Sequence, residues 1–246
     1  MSSRALAVLL FALTTACRAE PQSDEFPKTG RAVAPIVNDS FSTEDARDRT
    51  GEAEEVMRLA EVAPGMSVAD VGAGEGYYTV RLAPIVGRRG RVLAQDIVRE
   101  TRDRLAQRVQ RERLDNVAVS LGQPANPMLP AHSFDRIFLV HMYHEVTKPY
   151  EFLWNLRESL KPDGLVIVVD SNRPVKRHGM PPRQLQCEFA ALGLAPTKAV
   201  RLAGSDAYFT AFRLASPRPR PGDIKPCTEE KHPDAKQELV PAAPAD

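Results

Sequence analysis

The stretch VADVGAGEGYYTV, Val68 to Val80, decides how the rest of the chain is read. An apolar run leads to Asp70, glycines stand at Gly72, Gly74 and Gly76 with Glu75 among them, and a helical pattern begins at once. A glycine-rich turn between a first strand and the next helix lets a ligand approach the backbone closely, because no Cβ is in the way. Spacing and charge then narrow the ligand. Tyr77 stands where the dinucleotide fingerprint G-x-G-x-x-G needs room for its last glycine. Asp70 and Glu75 would repel a pyrophosphate seated at that helix start and welcome a cationic ligand.

On either side of this stretch, short apolar runs alternate with helical patterns, the habit of a parallel sheet with helices on both faces. Strands are predicted at Ser67–Val71, Arg91–Asp96, Val117–Leu121, Phe134–Val140 and Leu165–Asp170. Helices are predicted at Gly76–Ile85, Val98–Leu114, Pro149–Leu160 and Pro182–Leu192, with another, Thr43–Ala60, before the first strand. Thr197–Ala203 and Ala207–Leu214, joined by GSD, read as a closing β-hairpin. A dinucleotide-binding half would instead end in a further parallel unit.

From about Thr43 to Leu214 the sequence resembles the class I S-adenosylmethionine-dependent methyltransferases. Asp70-Val71-Gly72-Ala73-Gly74-Glu75-Gly76 matches their first motif, an acid followed by x-G-x-G-x-G. Asp96 in RVLAQDI matches the acid that ends their second strand and holds both ribose hydroxyls. GQPANPMLPAHSFDRIFLV and LKPDGLVIVVD follow their approaches to the fourth and fifth strands. The resemblance implies an α/β, Rossmann-like seven-stranded sheet, five parallel strands plus a closing β-hairpin, with helices on both faces. It also implies S-adenosylmethionine as cofactor, which carries a sulfonium and an ammonium and no phosphate. The expected cofactor-binding residues are Asp70, Gly72, Ala73, Gly74, Glu75, Gly76, Asp96, Ile97, Gln123 and Pro124. Gln123 stands where the family commonly has Asp, and its carbonyl oxygen can accept the same adenine hydrogen bond without the charge.

Open α/β sheets bind ligands beyond the carboxyl ends of their strands, which directs attention to His141-Met142-Tyr143-His144-Glu145 after the fourth strand. Methyl transfer from a sulfonium depends on aligning the acceptor, and a base helps when the acceptor is a hydroxyl or a protonated amine. His141 or His144 is the expected base, with Glu145 orienting one imidazole; the alternative is that the run only caps backbone groups and lines the pocket wall. The expected activity is methyl transfer to an unidentified acceptor. A non-catalytic, ligand-binding lipoprotein built on the same fold is the alternative.

The chain has 246 residues, 43% hydrophobic and 26% charged, enough for one good-sized core. Its 33 Lys and Arg against 32 Asp and Glu argue against a protein that lives on nucleic-acid backbones, which needs a strongly basic surface. Arg4 followed by the apolar run Ala5–Leu13 reads as a signal peptide over residues 1–16. Thr14-Thr15-Ala16-Cys17 resembles a bacterial lipobox, although Thr14 replaces the usual Leu. Lipidation at Cys17 would place the protein in the cell envelope, membrane-bound only through that anchor; an unused signal would leave it in the cytoplasm. Residues 17–42 read as a flexible tether, 43–214 as the domain and 215–246 as a Pro-rich disordered tail. Cys187 and Cys227 could pair in an oxidising compartment, though two such cysteines make no disulfide framework. No metal-ligand spacing stands out.

Overall fold

The computed structural model describes residues 25–36, 44–228 and 240–241. The signal-peptide and lipobox readings, residues 1–17, lie outside the described residues. Strands β1 (Ser67–Val71), β2 (Arg91–Asp96), β3 (Val117–Leu121), β4 (Phe134–Val140) and β5 (Leu160–Ser171) alternate with helices α3 (Tyr77–Val86), α4 (Arg99–Arg111) and α5 (Pro149–Arg157). Helices α1 (Glu44–Thr50) and α2 (Glu52–Leu59) precede them; α6 (Pro182–Ala191), β6 (Leu194–Arg201), β7 (Ala207–Leu214) and a two-residue β8 (Val240–Pro241) follow.

The sheet order is β3-β2-β1-β4-β5-β7-β6-β8. Pairs from β3 across to β5 are parallel, while β5–β7 and β7–β6 are antiparallel. This is the Rossmann-like methyltransferase sheet with its closing hairpin, and β8 adds an eighth, parallel strand at the β6 edge. The chain moves outward from β1 through β2 to β3, then returns to place β4 on the other side of β1. That reversal puts the loops after β1 and β4 side by side, at the switch point where such sheets bind ligands.

Both sheet faces are covered, so the central strands are apolar on both sides rather than alternating. One core layer packs Leu153 and Leu156 of α5 with Leu185 and Phe189 of α6; the other packs Val56 and Met57 of α2 with Leu82 and Val86 of α3. The helix predicted over Thr43–Ala60 is two helices, broken at Gly51, whose left-handed φ of 65° interrupts the α-helical backbone. The break lets α1 turn back across α3.

The described parts of the expected tether and tail, residues 25–36 and 215–228, pack on the domain. Arg31, Ala34, Ile224 and Cys227 are buried, and Gly30 forms a parallel bridge with Thr228. Cys187 on α6 and Cys227 form a disulfide. The Cys227 amide donates to the Tyr150 hydroxyl at 2.6 Å. Trp154 donates to the Pro219 carbonyl at 2.9 Å, lies under the Arg218 guanidinium and meets Phe26 edge to face. Composition misleads here because the two segments are held by one buried ion pair, a disulfide and main-chain bonds, with few apolar side chains of their own. Together they form a strap over α5, α6 and the turn after β4.

Candidate active site

The loop after β1 takes the form its glycines permit. Gly72, Gly74 and Gly76 all have left-handed φ, 68°, 56° and 89°. A Cβ on Gly76 would fall 2.4 Å from Leu105 of α4, and one on Gly72 about as close as contact allows to Met142, at 3.0 Å. At Gly74 nothing lies within 4 Å of where a Cβ would stand, so the loop leaves open space above that backbone.

Asp96 ends β2 and is 8% exposed. Its Oδ2 accepts the Gly74 amide at 3.0 Å and its Oδ1 accepts the Val98 amide at 2.8 Å. A carboxylate has about four acceptor positions, so about two remain for a pair of ligand hydroxyls. Beside it, the Ala73 amide donates to the Gln95 carbonyl at 2.9 Å, locking the loop against β2. Ile97 follows half-buried, while Gln123 and Pro124 are exposed at the end of β3, where the Gln123 backbone pairs with Asn126. The residues present fit an adenosyl compound with free ribose hydroxyls: a glycine loop with open space, and a carboxylate with spare acceptors beside it.

The charges differ from those expected. Asp70 is buried and accepts the Thr79 hydroxyl at 2.6 Å. Burial pushes its pKa up to about 6, against the opposing effect of the Thr79 bond. Glu75 points out of the loop to Arg104 at 3.2 Å. Neither acid therefore faces the open space as a bare charge, and the negative group left at the loop is Asp96.

Helices α1 and α2 roof this region through a polar network that includes residues missed in the sequence. Glu52 accepts from Arg47 at 2.8 Å and from the Tyr78 hydroxyl at 3.1 Å, and pairs with His141 Nε2 at 2.9 Å. Burial works against its charge, but the His141 and Arg47 contacts prevail and hold its pKa down to about 2. Tyr77 bonds Asp48 and is sandwiched between the guanidinium groups of Arg47 and Arg81, 3.9 and 3.8 Å from its ring centre. Burial, reinforced by that Asp48 bond, pushes the Tyr77 hydroxyl up to about 12. The repeat of Glu44, Asp48 and Glu52 at four-residue spacing was the available signal for this acidic face.

Beyond β4 the chain turns sharply, with His141 at a left-handed φ of 52° and the His141 amide on the Val169 carbonyl. His141 is about one-third exposed at its side chain, whereas His144 is buried. The carboxylate that orients His144 is Asp170, from the end of β5, rather than Glu145. Its oxygens lie 2.9 and 3.1 Å from Nδ1, and Glu145 stands 4.0 Å from Nε2. Asp170 is wholly buried and its Oδ1 also accepts the Ser171 amide. From the turn after β5, His178 brings its ring edge-to-face with that of His144, centres 5.6 Å apart. The strap closes over the same turn: the Ala34 amide donates to the His144 carbonyl, and Arg31 donates to the Tyr143 and His144 carbonyls. Arg31 meanwhile pairs with buried Glu188 at 2.8 Å, which also accepts from Tyr143 and Gln184.

Comparison with known proteins agrees with this geometry. Residues 69–168 match the family described as methyltransferase domain. Over 113 residues the chain is 30% identical to a protein-L-isoaspartate O-methyltransferase of Pyrococcus horikoshii, covering 46% of this chain and 48% of that protein. It is 26% identical over 121 residues to a demethylmenaquinone methyltransferase of Bacillus cereus, covering 49% and 51%. The chain thus spans about half the length of the curated relatives it matches. Among solved structures, a SAM-dependent methyltransferase from Aquifex aeolicus superposes with a TM-score of 0.63 at 21% identity, over 71% of this chain and all of that one. The [4+2]-cyclase SpnF superposes with a TM-score of 0.62 at 13% identity, over 77% and 100%. These likenesses establish the fold, and SpnF carries a different name on it.

Proposed function

We propose that this protein is an S-adenosylmethionine-dependent methyltransferase whose acceptor docks at the carboxyl edge of β4 and β5. The observation that carries the reading is the Asp96 carboxylate, tied to the Gly74 amide beside open space and still possessing acceptor positions for ribose hydroxyls. The cofactor, when bound, supplies a methyl group on a positively charged sulfur. Gly72, Ala73, Gly74 and Gly76 would form its bed, with Asp96 and Ile97 as the residues for its ribose and Gln123 and Pro124 for its adenine. Glu75 turns its carboxylate onto Arg104 and would contribute only through its backbone.

Within this reading His141 is the base: Glu52 holds Nε2, so Nδ1 is the nitrogen left to take the acceptor's proton. His144, buried and held by Asp170, keeps the turn in place. The isoaspartate and menaquinone relatives are named for unlike acceptors, so the comparisons choose none, and both a small molecule and a protein side chain remain acceptor classes.

Calorimetric titration with S-adenosylmethionine, S-adenosylhomocysteine and NAD, beside an Asp96→Ala variant, tests the reading. Binding of the two adenosyl compounds that the variant abolishes supports it. A folded protein that binds neither has only inherited the architecture, and a ligand-binding role in the envelope then takes precedence.

Export to the cell envelope with a lipid at Cys17 is the companion proposal. The Arg4–Cys17 stretch supports it, and so does the Cys187–Cys227 disulfide, a bond that persists in oxidising compartments and is rare in the cytosol. Fractionation of cells expressing wild type and Cys17→Ala checks it. Equal recovery of both as soluble cytoplasmic protein with an intact N-terminus rejects export.

A further inference from the structure

We propose that His144, Glu145 and His178 form a binding site for one divalent transition-metal ion of the zinc class. Each offers one ligand atom, and the three atoms lie within 4.8 Å of one another. Two loops distant in sequence build the set. His144 and Glu145 come from the turn after β4, and His178 from the turn after β5.

The surroundings are those a metal-ligating histidine needs. The Nδ1–H of His144 is directed to Asp170, which fixes the tautomer and leaves Nε2 as the ligand atom. A buried carboxylate behind a ligating imidazole is the usual outer partner of such a site; it raises the basicity of the ring and holds its orientation. Asp170 and Glu145 bring two carboxylates to two imidazoles, a set suited to a dication. His178 sits at a left-handed φ of 53°, in a loop whose two ends are pinned by the Arg173 and Met180 amides on the Ser171 carbonyl. The loop thereby holds the ring against His144.

Donor type narrows the ion. Two imidazole nitrogens and one carboxylate suit zinc or iron(II), whereas magnesium and calcium prefer oxygen-only sites. Three protein ligands leave a fourth tetrahedral position open for water or a substrate oxygen. Ligand atoms of a tetrahedral zinc site are roughly 3.3 Å apart, given bonds of about 2.0–2.1 Å. Loading therefore draws the ligand atoms closer together, His144 Nε2 and Glu145 from their 4.0 Å separation included. What the ion would do, polarise an acceptor oxygen bound beside the cofactor loop, rests on the methyltransferase reading; binding of the ion does not.

The test uses the untagged full chain, stripped with a chelator and then titrated with Zn²⁺, and with Co²⁺ as a coloured probe. One ion per chain is expected, with visible Co²⁺ bands of low-symmetry nitrogen and oxygen ligation. His178→Ala and Glu145→Gln should each weaken binding at least about tenfold, as loss of a first ligand exceeds the effect of losing an outer partner. Circular dichroism of both variants controls for folding, and the half-buried position of Glu145 makes its isosteric change the safer of the two. S-adenosylhomocysteine binding is measured on the same samples. Cofactor binding without stoichiometric metal, or metal binding that neither substitution changes, overturns the metal site alone. Metal binding without cofactor binding leaves the site standing and overturns the methyltransferase reading.

Discussion

Asp96 accepts the amide of Gly74 at 3.0 Å, so the acid that ends β2 also holds the loop that follows β1. One side chain thus shapes the ligand bed and supplies its strongest acceptor. Replacing it with alanine removes the bonds from the Gly74 and Val98 amides in the free protein and those to the ribose hydroxyls in the complex, each worth roughly 1.5–3 kcal/mol. Asp96→Ala is expected to weaken S-adenosylhomocysteine binding by about a hundredfold or more in calorimetry. Asp96→Asn, which keeps one acceptor oxygen, should fall between the two.

Gly74 and Gly76 separate binding from folding. Gly74→Ala meets no neighbour and bears only the left-handed backbone cost, roughly 1–2 kcal/mol, yet its methyl group enters the open space. Gly76→Ala adds a collision with Leu105 to the same cost, roughly another 1–3 kcal/mol. Thermal denaturation should rank Gly76→Ala well below Gly74→Ala, while Gly74→Ala loses ligand affinity with its fold intact.

Asp70 predicts an unusual pH response. Its folded-state pKa of about 6 lies above the ordinary 3.8, so the folded protein holds this proton more tightly than the unfolded chain does. Its contribution to stability therefore declines as pH rises from about 4 to about 6, and above that the full cost of the buried charge is present. Asp70→Asn, which keeps an acceptor for Thr79, should stabilise the protein at pH 7.5 by up to about 3 kcal/mol, a gain that disappears near pH 4. Chemical denaturation at several pH values checks this; a gain independent of pH rejects the assignment.

The disulfide closes a 40-residue loop between Cys187 and Cys227. Cys227→Ser, or reduction of the wild type, should cost about 2–4 kcal/mol and expose residues 215–228 to limited proteolysis. Mass spectrometry of the alkylated protein, with and without reductant, shows whether the two thiols are protected.

Arg31→Ala leaves buried Glu188 with Tyr143 and Gln184 but without its counter-charge. A loss of about 3–5 kcal/mol is expected, as for other broken buried pairs. The double variant Arg31→Met, Glu188→Gln should recover much of it, measured by urea denaturation.

The parallel sheet was legible because its signal is local. Ser67–Val71, Arg91–Asp96, Val117–Leu121 and Phe134–Val140 are apolar runs bounded by turn formers, and each forms a strand over those residues. Asp96 was legible through the motif it completes. Three things were not. Asp170 reads as the last residue of a strand until the sheet sets it behind His144. His178 lies in a polar loop whose neighbour in space is 34 positions away in sequence. The strap looks like a tether and a tail because its attachments are a disulfide, a buried arginine and backbone bonds, none of which leaves a hydrophobic period. Charge was read too simply as well, since Asp70 and Glu75 belong to the motif but direct their carboxyl groups to Thr79 and Arg104.

The strap also bears on when the protein becomes competent. Arg31 and Ala34 hold the carbonyls of Tyr143 and His144, and the clasp over them is closed by Gly30–Thr228 and by Cys227. A nascent chain has every strand from β1 to β7 in hand once Leu214 has emerged, but the clasp waits for Cys227 and Thr228, about 1–3 s later at roughly 5–20 residues per second, and then for an oxidant. Maturation of the turn therefore trails assembly of the sheet. In a reducing compartment Cys187 and Cys227 would stay thiols, and the turn after β4 would then be held by Arg31, Ala34 and backbone bonds without the covalent link that completes the strap.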